Sequence, residues 1–349
     1  MNTLVARARR HLAAALALAL AGSLASCAAL SPGSDSSAAA SGAAPTPAPS
    51  GALTVSTSFY PIQYLAQAIG GEHVAVTSVT PTNVEPHDFE LSPKDVTALS
   101  ASSLVLYVSG FQPSLDDALA QVSGPAVVDL AGSVDLVHHD GVEEEHEEDA
   151  TGATDATGAA GATGAAGATG AAHDHDAAAA LDPHFWLDPV RMQAAAKAVE
   201  AALAQADPAH ADDYATNLNT LTTTLTDLNT GYSSGLGHCE RTTFVTSHAA
   251  FGYLADRYSL TQASISGVDP ESEPSPAELA AVKKVVESTG TTTIFTEELV
   301  SPETAQAVAA ETGAQTRVLS PIESAPESGD YADAMRANLE ELRTALSCQ

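Results

Sequence analysis

The chain is short of positive charge. Thirteen Lys and Arg stand against 44 Asp and Glu in 349 residues, for a formal net charge of −31. Nucleic-acid binders need basic surfaces, so this balance excludes DNA or RNA as a partner. It is compatible with a cationic ligand, because net charge bears on steering and solubility and not on fold. The apolar stretch at residues 12–24, "LAAALALALAGSL", is too short to cross a bilayer comfortably. Cysteine is scarce as well: Cys27, Cys239 and Cys348 are the only three. Large side chains are missing from residues 151–172, an Ala/Thr/Gly repeat that has nothing to bury in a core.

The N-terminus has the composition of a targeting segment. Arg7, Arg9 and Arg10 precede the apolar stretch, which ends in "LASC" at residues 24–27. Small residues before a cysteine at the end of an apolar run resemble a bacterial lipobox. The resemblance implies cleavage before Cys27 and lipidation of its thiol; the other reading is an ordinary signal peptide with an incidental cysteine. Acyl chains would hold the mature protein on the outer side of the cytoplasmic membrane without a transmembrane helix. Residues 28–52, rich in Ser, Ala, Pro and Gly, read as a flexible tether. With Cys27 assigned to lipid, Cys239 and Cys348 remain. An extracytoplasmic location permits a disulfide between them, and two buried free thiols are the alternative.

From residue 53 the pattern alternates. Strand-like runs at 53–59, 73–79, 103–109 and 126–130 are separated by helical runs at 62–70, 92–101 and 114–122. Strand alternating with helix predicts a parallel α/β sheet. The pattern breaks at 138–176, where "HHDGVEEEHEED" passes into the Ala/Thr/Gly repeat and then "HDHD". This insert is too long for a structured loop and is predicted to be disordered. After "LDPHFWLDP" (181–189) comes a helix to residue 206. Asp207-Pro208 then reads as an N-cap with proline at the first helical position. The next helix carries Tyr214, Leu218, Leu221, Leu225, Leu228 and Tyr232 at spacings of three and four, so one face is buried. Its length suits a rod between two domains. The second half repeats the alternation, with strands at 242–247, 260–265, 291–296 and 315–320 and a final helix at 330–346. The expected division is signal peptide 1–26, tether 27–52, N-terminal α/β domain 53–187, helical segment 188–237 with the linker helix, and C-terminal α/β domain 238–349.

Three histidines sit where ligands bind. The loop "EPHDFELSP" (85–93) follows a strand and is kept out of helix and strand by its prolines. It carries His87. His248 follows the strand at 242–247, and His184 lies between two Asp-Pro pairs at the domain junction, beside the lone tryptophan, Trp186. Open parallel sheets bind ligands outside the carboxyl ends of their strands. Glu323, just past the strand at 315–320, emerges at such an end too. Three imidazoles and one carboxylate make a four-ligand set suited to Zn2+. Glu85, Asp88, Asp182 and Asp188 are candidate acceptors for imidazole N–H groups, or simply solvated acids.

In order, "VEPHDFELSPKD", "DPHFWLDPV", "TSHAAFGYLADRY", "EPSPAEL" and "VLSPIES…GDYADAMRANLEEL" resemble the motifs of metal-binding lipoproteins of ABC importers, and the zinc-specific branch fits best. The resemblance implies two Rossmann-like (β/α)4 domains joined by a long rigid helix, with the metal in the cleft between them. It implies His87, His184, His248 and Glu323 as ligands, Zn2+ as the transported ligand, an ABC permease as partner, and a monomer held at the membrane. Manganese relatives place a glutamate where His248 stands. Zinc relatives carry a His- and acid-rich loop at the position of the insert. Here it has only His138, His139, His146, His173 and His175, a set of weak sites at most. A manganese- or iron-binding role within the same family is the first alternative, a zinc hydrolase or a metal-dependent adhesin the next. A catalytic zinc keeps a position open for water, which Glu323 would fill, so an enzyme is not expected. Deleting residues 140–172 is predicted to leave the melting temperature and the high-affinity site unchanged, while weak extra zinc equivalents decline. A large drop in melting temperature would show the insert to be structural.

Overall fold

Short runs of β-branched and aliphatic residues form the strands, and capping residues set the starts of several helices. The computed structural model describes residues 51–139 and 181–349. The signal peptide, Cys27, the tether up to residue 50 and the part of the insert that holds His146, His173 and His175 lie outside the described residues.

The first lobe runs β1 (Leu53–Thr57), α1 (Tyr60–Gly70), β2 (Val74–Ser78), α2 (Pro93–Ala101), β3 (Leu104–Tyr107), α3 (Pro113–Leu119) and β4 (Ala126–Asp129). Its four strands are all parallel, in the order β2-β1-β3-β4. Leu104, Val105 and Leu106 are buried in succession, as a strand covered on both faces requires. Ser92 caps α2 in a reciprocal box with Asp95, and Pro93 occupies the first turn. The second lobe runs β5 (Thr243–Thr246), α6 (Gly252–Tyr258), β6 (Thr261–Ser264), α7 (Pro276–Thr289), β7 (Thr293–Thr296), α8 (Glu303–Thr312), β8 (Gln315–Val318) and α9 (Tyr331–Leu346). Its sheet repeats the first, parallel throughout, in the order β6-β5-β7-β8. Boxes at Ser275/Glu278 and Asp330/Asp333 start α7 and α9.

Between the lobes run α4 (Pro189–Ala206) and α5 (Ala211–Gly235). Helix α5 packs against α1, α4 and α9. Its 25 residues make a rod of about 37 Å at 1.5 Å per residue. Tyr214, Leu221, Leu225, Leu228 and Tyr232 are buried along one face, and Leu218 is partly buried. The start of this helix differs from the sequence reading. Pro208–His210 forms a separate 3-10 turn, and α5 begins at Ala211. Asp207 does not cap the helix; its carboxylate accepts from His210 Nδ1 at 2.6 Å and Tyr214 Oη at 2.8 Å. A single apolar cluster takes in α1, α4, α5 and α9, so both lobes grow out of one core. No helix among the described residues is long and apolar enough to cross a membrane.

A disulfide joins Cys239 to Cys348, 109 residues apart. It pins the end of α9 beside the entry to β5, where Arg241 N donates to Leu346 O at 3.1 Å and Gln349 N to His238 O at 3.0 Å. Closing so long a loop removes denatured-state entropy. Replacing both cysteines with serine is predicted to lower the unfolding free energy by about 2–4 kcal/mol, read as a shift in the urea midpoint. An unchanged midpoint, or two free thiols in unreduced, denatured protein, would refute the bridge.

Candidate metal centre

Each ligand candidate leaves the carboxyl end of a sheet or the junction between sheets. His87 lies in the loop after β2, His184 ahead of α4, His248 two residues after β5, and Glu323 beyond β8. Their ligand atoms converge. His87 Nε2 is 3.2 Å from His184 Nε2, which is 3.3 Å from His248 Nε2. Glu323 Oε1 is 3.3 Å from the first two and 3.9 Å from the third. All four atoms fall within 4.8 Å of one another, the one such group of potential metal ligands among the described residues. Tetrahedral bonds of about 2.0–2.1 Å to nitrogen and oxygen put ligand atoms about 3.3 Å apart. Spacings of 3.2–3.3 Å between His87, His184, His248 and Glu323 match that value, while Glu323 to His248 is longer at 3.9 Å. His184, His248 and Glu323 are buried, and His87 is nearly so.

The loops hold these side chains by polar contacts aimed away from the centre. Around His87, Glu85 accepts from the backbone N–H of His87 at 3.0 Å and of Asp88 at 3.2 Å. Buried Gln112 donates to Pro86 O at 3.0 Å, and the Phe111 ring meets the His87 imidazole edge-on at 4.6 Å. Behind His184, Asp182 Oδ1 faces Nδ1 at 2.7 Å and takes the backbone N–H at 2.9 Å. Behind His248, Glu297 Oε1 faces Nδ1 at 2.7 Å and also accepts from Ser247 Oγ. An acceptor at Nδ1 places the proton there and leaves Nε2 free to ligate. Trp186 Nε1 donates to Pro321 O at 2.7 Å, tying the His184 segment to the Glu323 loop. Ile322, just before Glu323, has a φ of 57° although it is β-branched and buried. That conformation is costly for such a side chain, and here it turns Glu323 into the cleft.

Of the four acids proposed from sequence as imidazole acceptors, Asp182 alone does that work. Glu85 binds backbone N–H groups. Asp188 caps α4 through Val190 N at 2.8 Å and takes a two-pronged contact from Arg257. Sequence reasoning missed Glu297, although it lies one residue past β7, where a carboxylate at a strand's carboxyl end is the same signal that flagged Glu323. His139 has its Nδ1 2.6 Å from Asp182 Oδ2 and its Nε2 3.0 Å from Asp256 Oδ2. A cavity of about 870 Å³ adjoins Glu323 and is lined by Glu297, Glu298, Glu327 and Asp333 among others. Carboxylates at such a mouth raise the local concentration of cations.

Burial alone would pull the His184 imidazolium down, but the Asp182 hydrogen bond and charge, then Glu323, outweigh it and raise His184 to about 9. Burial would likewise push Glu323 up, yet hydrogen bonds to His184 and His87 hold it well below the usual carboxylate range. At neutral pH the centre thus carries a proton that an incoming cation must displace. Apparent Zn2+ affinity is predicted to rise with pH up to about 9, by about tenfold per unit where one proton is released. Calorimetry in buffers of differing ionisation enthalpy measures that proton. Zinc uptake at neutral pH without proton release would contradict this.

Residues 55–345 match the family described as "Zinc-uptake complex component A periplasmic", ZnuA. The chain is 36% identical over 304 residues to the high-affinity zinc uptake system protein ZnuA of Bacillus subtilis, an alignment covering 84% of this chain and 88% of that protein. Among solved structures it is similar to Zn(II)-bound AdcA of Streptococcus pneumoniae, with TM-score 0.66 and 26% identity over 85% of this chain; it spans 58% of that longer protein. It is also similar to the laminin-binding protein Lmb of Streptococcus agalactiae, described as bifunctional with adhesin and metal transporting activity. There the TM-score is 0.69 and the identity 30%, over 84% of this chain and 99% of that one. Two parallel four-stranded sheets, a long helix between them and four candidate ligands meeting in the cleft agree with that family likeness: the chain belongs to the zinc-uptake complex component A family.

Proposed function

We propose that the chain is the extracytoplasmic component of an ABC importer that captures Zn2+ and delivers it to the membrane permease. The observation that carries this is the convergence of three Nε2 atoms and one carboxylate oxygen, from both lobes, at tetrahedral spacing. His87 and His184 belong to the first lobe's side of the cleft, His248 and Glu323 to the second. A bound ion would then bridge the lobes, and capture and release become opening and closing of one cleft. Three neutral imidazoles favour a borderline-soft ion over the harder Mn2+. Glu323 as fourth ligand fills the position that a hydrolytic zinc would keep for water, which favours a carrier over an enzyme. Residues 53–187 and 238–349 act as the two moving bodies, with 188–237 as the link. Lipidation of Cys27 would hold the monomer at the membrane, and His138, His146, His173 and His175 would add weak zinc affinity at most, whereas both ring nitrogens of His139 already face carboxylates. The likeness to Lmb supports a surface-adhesion role as a second reading, compatible with the first.

His248 is the most informative ligand, because it couples the ion to the second lobe. His248→Ala is predicted to weaken Zn2+ binding strongly and to remove most of the thermal stabilisation given by saturating zinc, which grows with the ratio of zinc concentration to Kd. His248→Glu should shift preference toward Mn2+. Unchanged zinc affinity and stabilisation in both variants would remove His248 from the site.

A further inference from the structure

We propose that His139 is a positioning residue for the zinc site, fixing the His184 imidazole through Asp182 while locking that assembly onto the second lobe. Asp182 is fully buried, and its two oxygens have separate tasks. Oδ1 serves His184, at the ring and the backbone, and Oδ2 faces His139 Nδ1. A carboxylate held at both oxygens cannot rotate, so the plane of the His184 ring and the direction of its Nε2 are set from behind. The other nitrogen of His139 faces Asp256 Oδ2, so the ring stands between two carboxylates, one behind a candidate zinc ligand and one on α6.

The place of the ring is dictated by α6. It lies against Gly252 so closely that a Cβ there would come within 2.3 Å of the His139 ring, and it meets Tyr253 edge-on at 4.5 Å. Tyr253 Oη donates to Asp182 O at 2.7 Å and accepts from Val137 N at 2.8 Å. Asp182 N in turn donates to Val137 O at 2.8 Å. Helix α6 begins four residues after His248. The segments bearing His184 and His248 are therefore joined twice: once by whatever ion the four ligands hold, and once behind it through His139, Asp182, Tyr253 and Asp256. His139 stands at the edge of the insert, which gives that segment a direct connection to a ligand of the site.

The inference rests on the zinc-site reading, and a double-mutant cycle separates the two. Zn2+ affinity is measured by chelator competition on the full chain and on its Asp182→Asn, His139→Ala and doubly substituted forms, with the visible spectrum of the Co2+-loaded proteins as a report on ligand geometry. His139→Ala is expected to weaken zinc binding by about tenfold or more, the usual scale for removing a group that orients a ligand, and to alter the Co2+ spectrum. In the Asp182→Asn background the same substitution should add little, because the path is already cut. His139→Gln, which keeps a donor toward Asp182, should lose less, and it carries the test if the alanine form fails to fold. Unchanged affinity and spectrum in the His139 variants, or losses that simply add, would overturn the role of His139. If the unsubstituted chain itself fails to hold Zn2+ against the chelator, the zinc-site reading falls, whereas tight binding that is indifferent to His139 overturns only the role of His139.

Discussion

Three imidazole nitrogens and a carboxylate oxygen packed within 4.8 Å of one another in a buried cleft cannot satisfy one another. Each nitrogen presents a lone pair to the same point, and only a proton or a cation placed there relieves the crowding. The raised pKa of His184 and the depressed one of Glu323 are the two faces of that frustration. Much else in the molecule keeps this arrangement in place. Asp182 and Glu297 stand behind two of the imidazoles so that the reactive nitrogens point inward. Trp186 packs against Phe59, Phe111 and His184, excluding water from one side of the site. A desolvated, preoriented ligand set binds its ion tightly because little remains to be ordered when the ion arrives.

Because the four candidate ligands come from both lobes and the segment between them, the elements that link the lobes decide how far they can part. Helix α5 shares its apolar face with both lobes, and Tyr232 Oη donates to Met335 O in α9 at 2.7 Å. A rod gripped this way favours small rocking motions of whole lobes over local unfolding. Asn83 N donates to Ser324 Oγ across the cleft at 2.7 Å, a contact that any opening must break. The Arg257–Asp188 pair joins α6 to the cap of α4, anchoring the second lobe to the segment that carries His184. The two aspartates of "DPHFWLDP" thus serve different partners: Asp182 the imidazoles of His184 and His139, Asp188 the start of α4 and Arg257.

The alternation of strand and helix was legible in the sequence because short runs of aliphatic and β-branched residues recur between helical stretches; the inner strands β3 and β7 bury theirs, while the edge strands β4 and β8 stay largely exposed. The four residues that converge were legible for a related reason: a histidine or carboxylate just past a strand stands where open parallel sheets bind ligands. What sequence could not reveal is pairing at a distance. Glu297 acts on His248 from 49 residues away, and Asp188 is claimed by Arg257 from 69 residues away; neither neighbour is visible without the fold. Asp207 illustrates the limit of local rules. Its position before Pro208 has every mark of an N-cap, yet His210 and Tyr214 draw its carboxylate aside, and the helix starts one turn later.

Ile322 has a bearing on engineering. A β-branched residue in left-handed backbone gives up about 1–2 kcal/mol relative to a permissive conformation, so glycine or asparagine at that position would look attractive to any scheme that scores thermal robustness alone. The same strained peptide directs Glu323 toward the other three ligands. A thermostabilised zinc sensor built on this scaffold would therefore gain shelf life at residue 322 by loosening the one carboxylate it reads with, and the sound choice is to take stability elsewhere and leave that isoleucine alone.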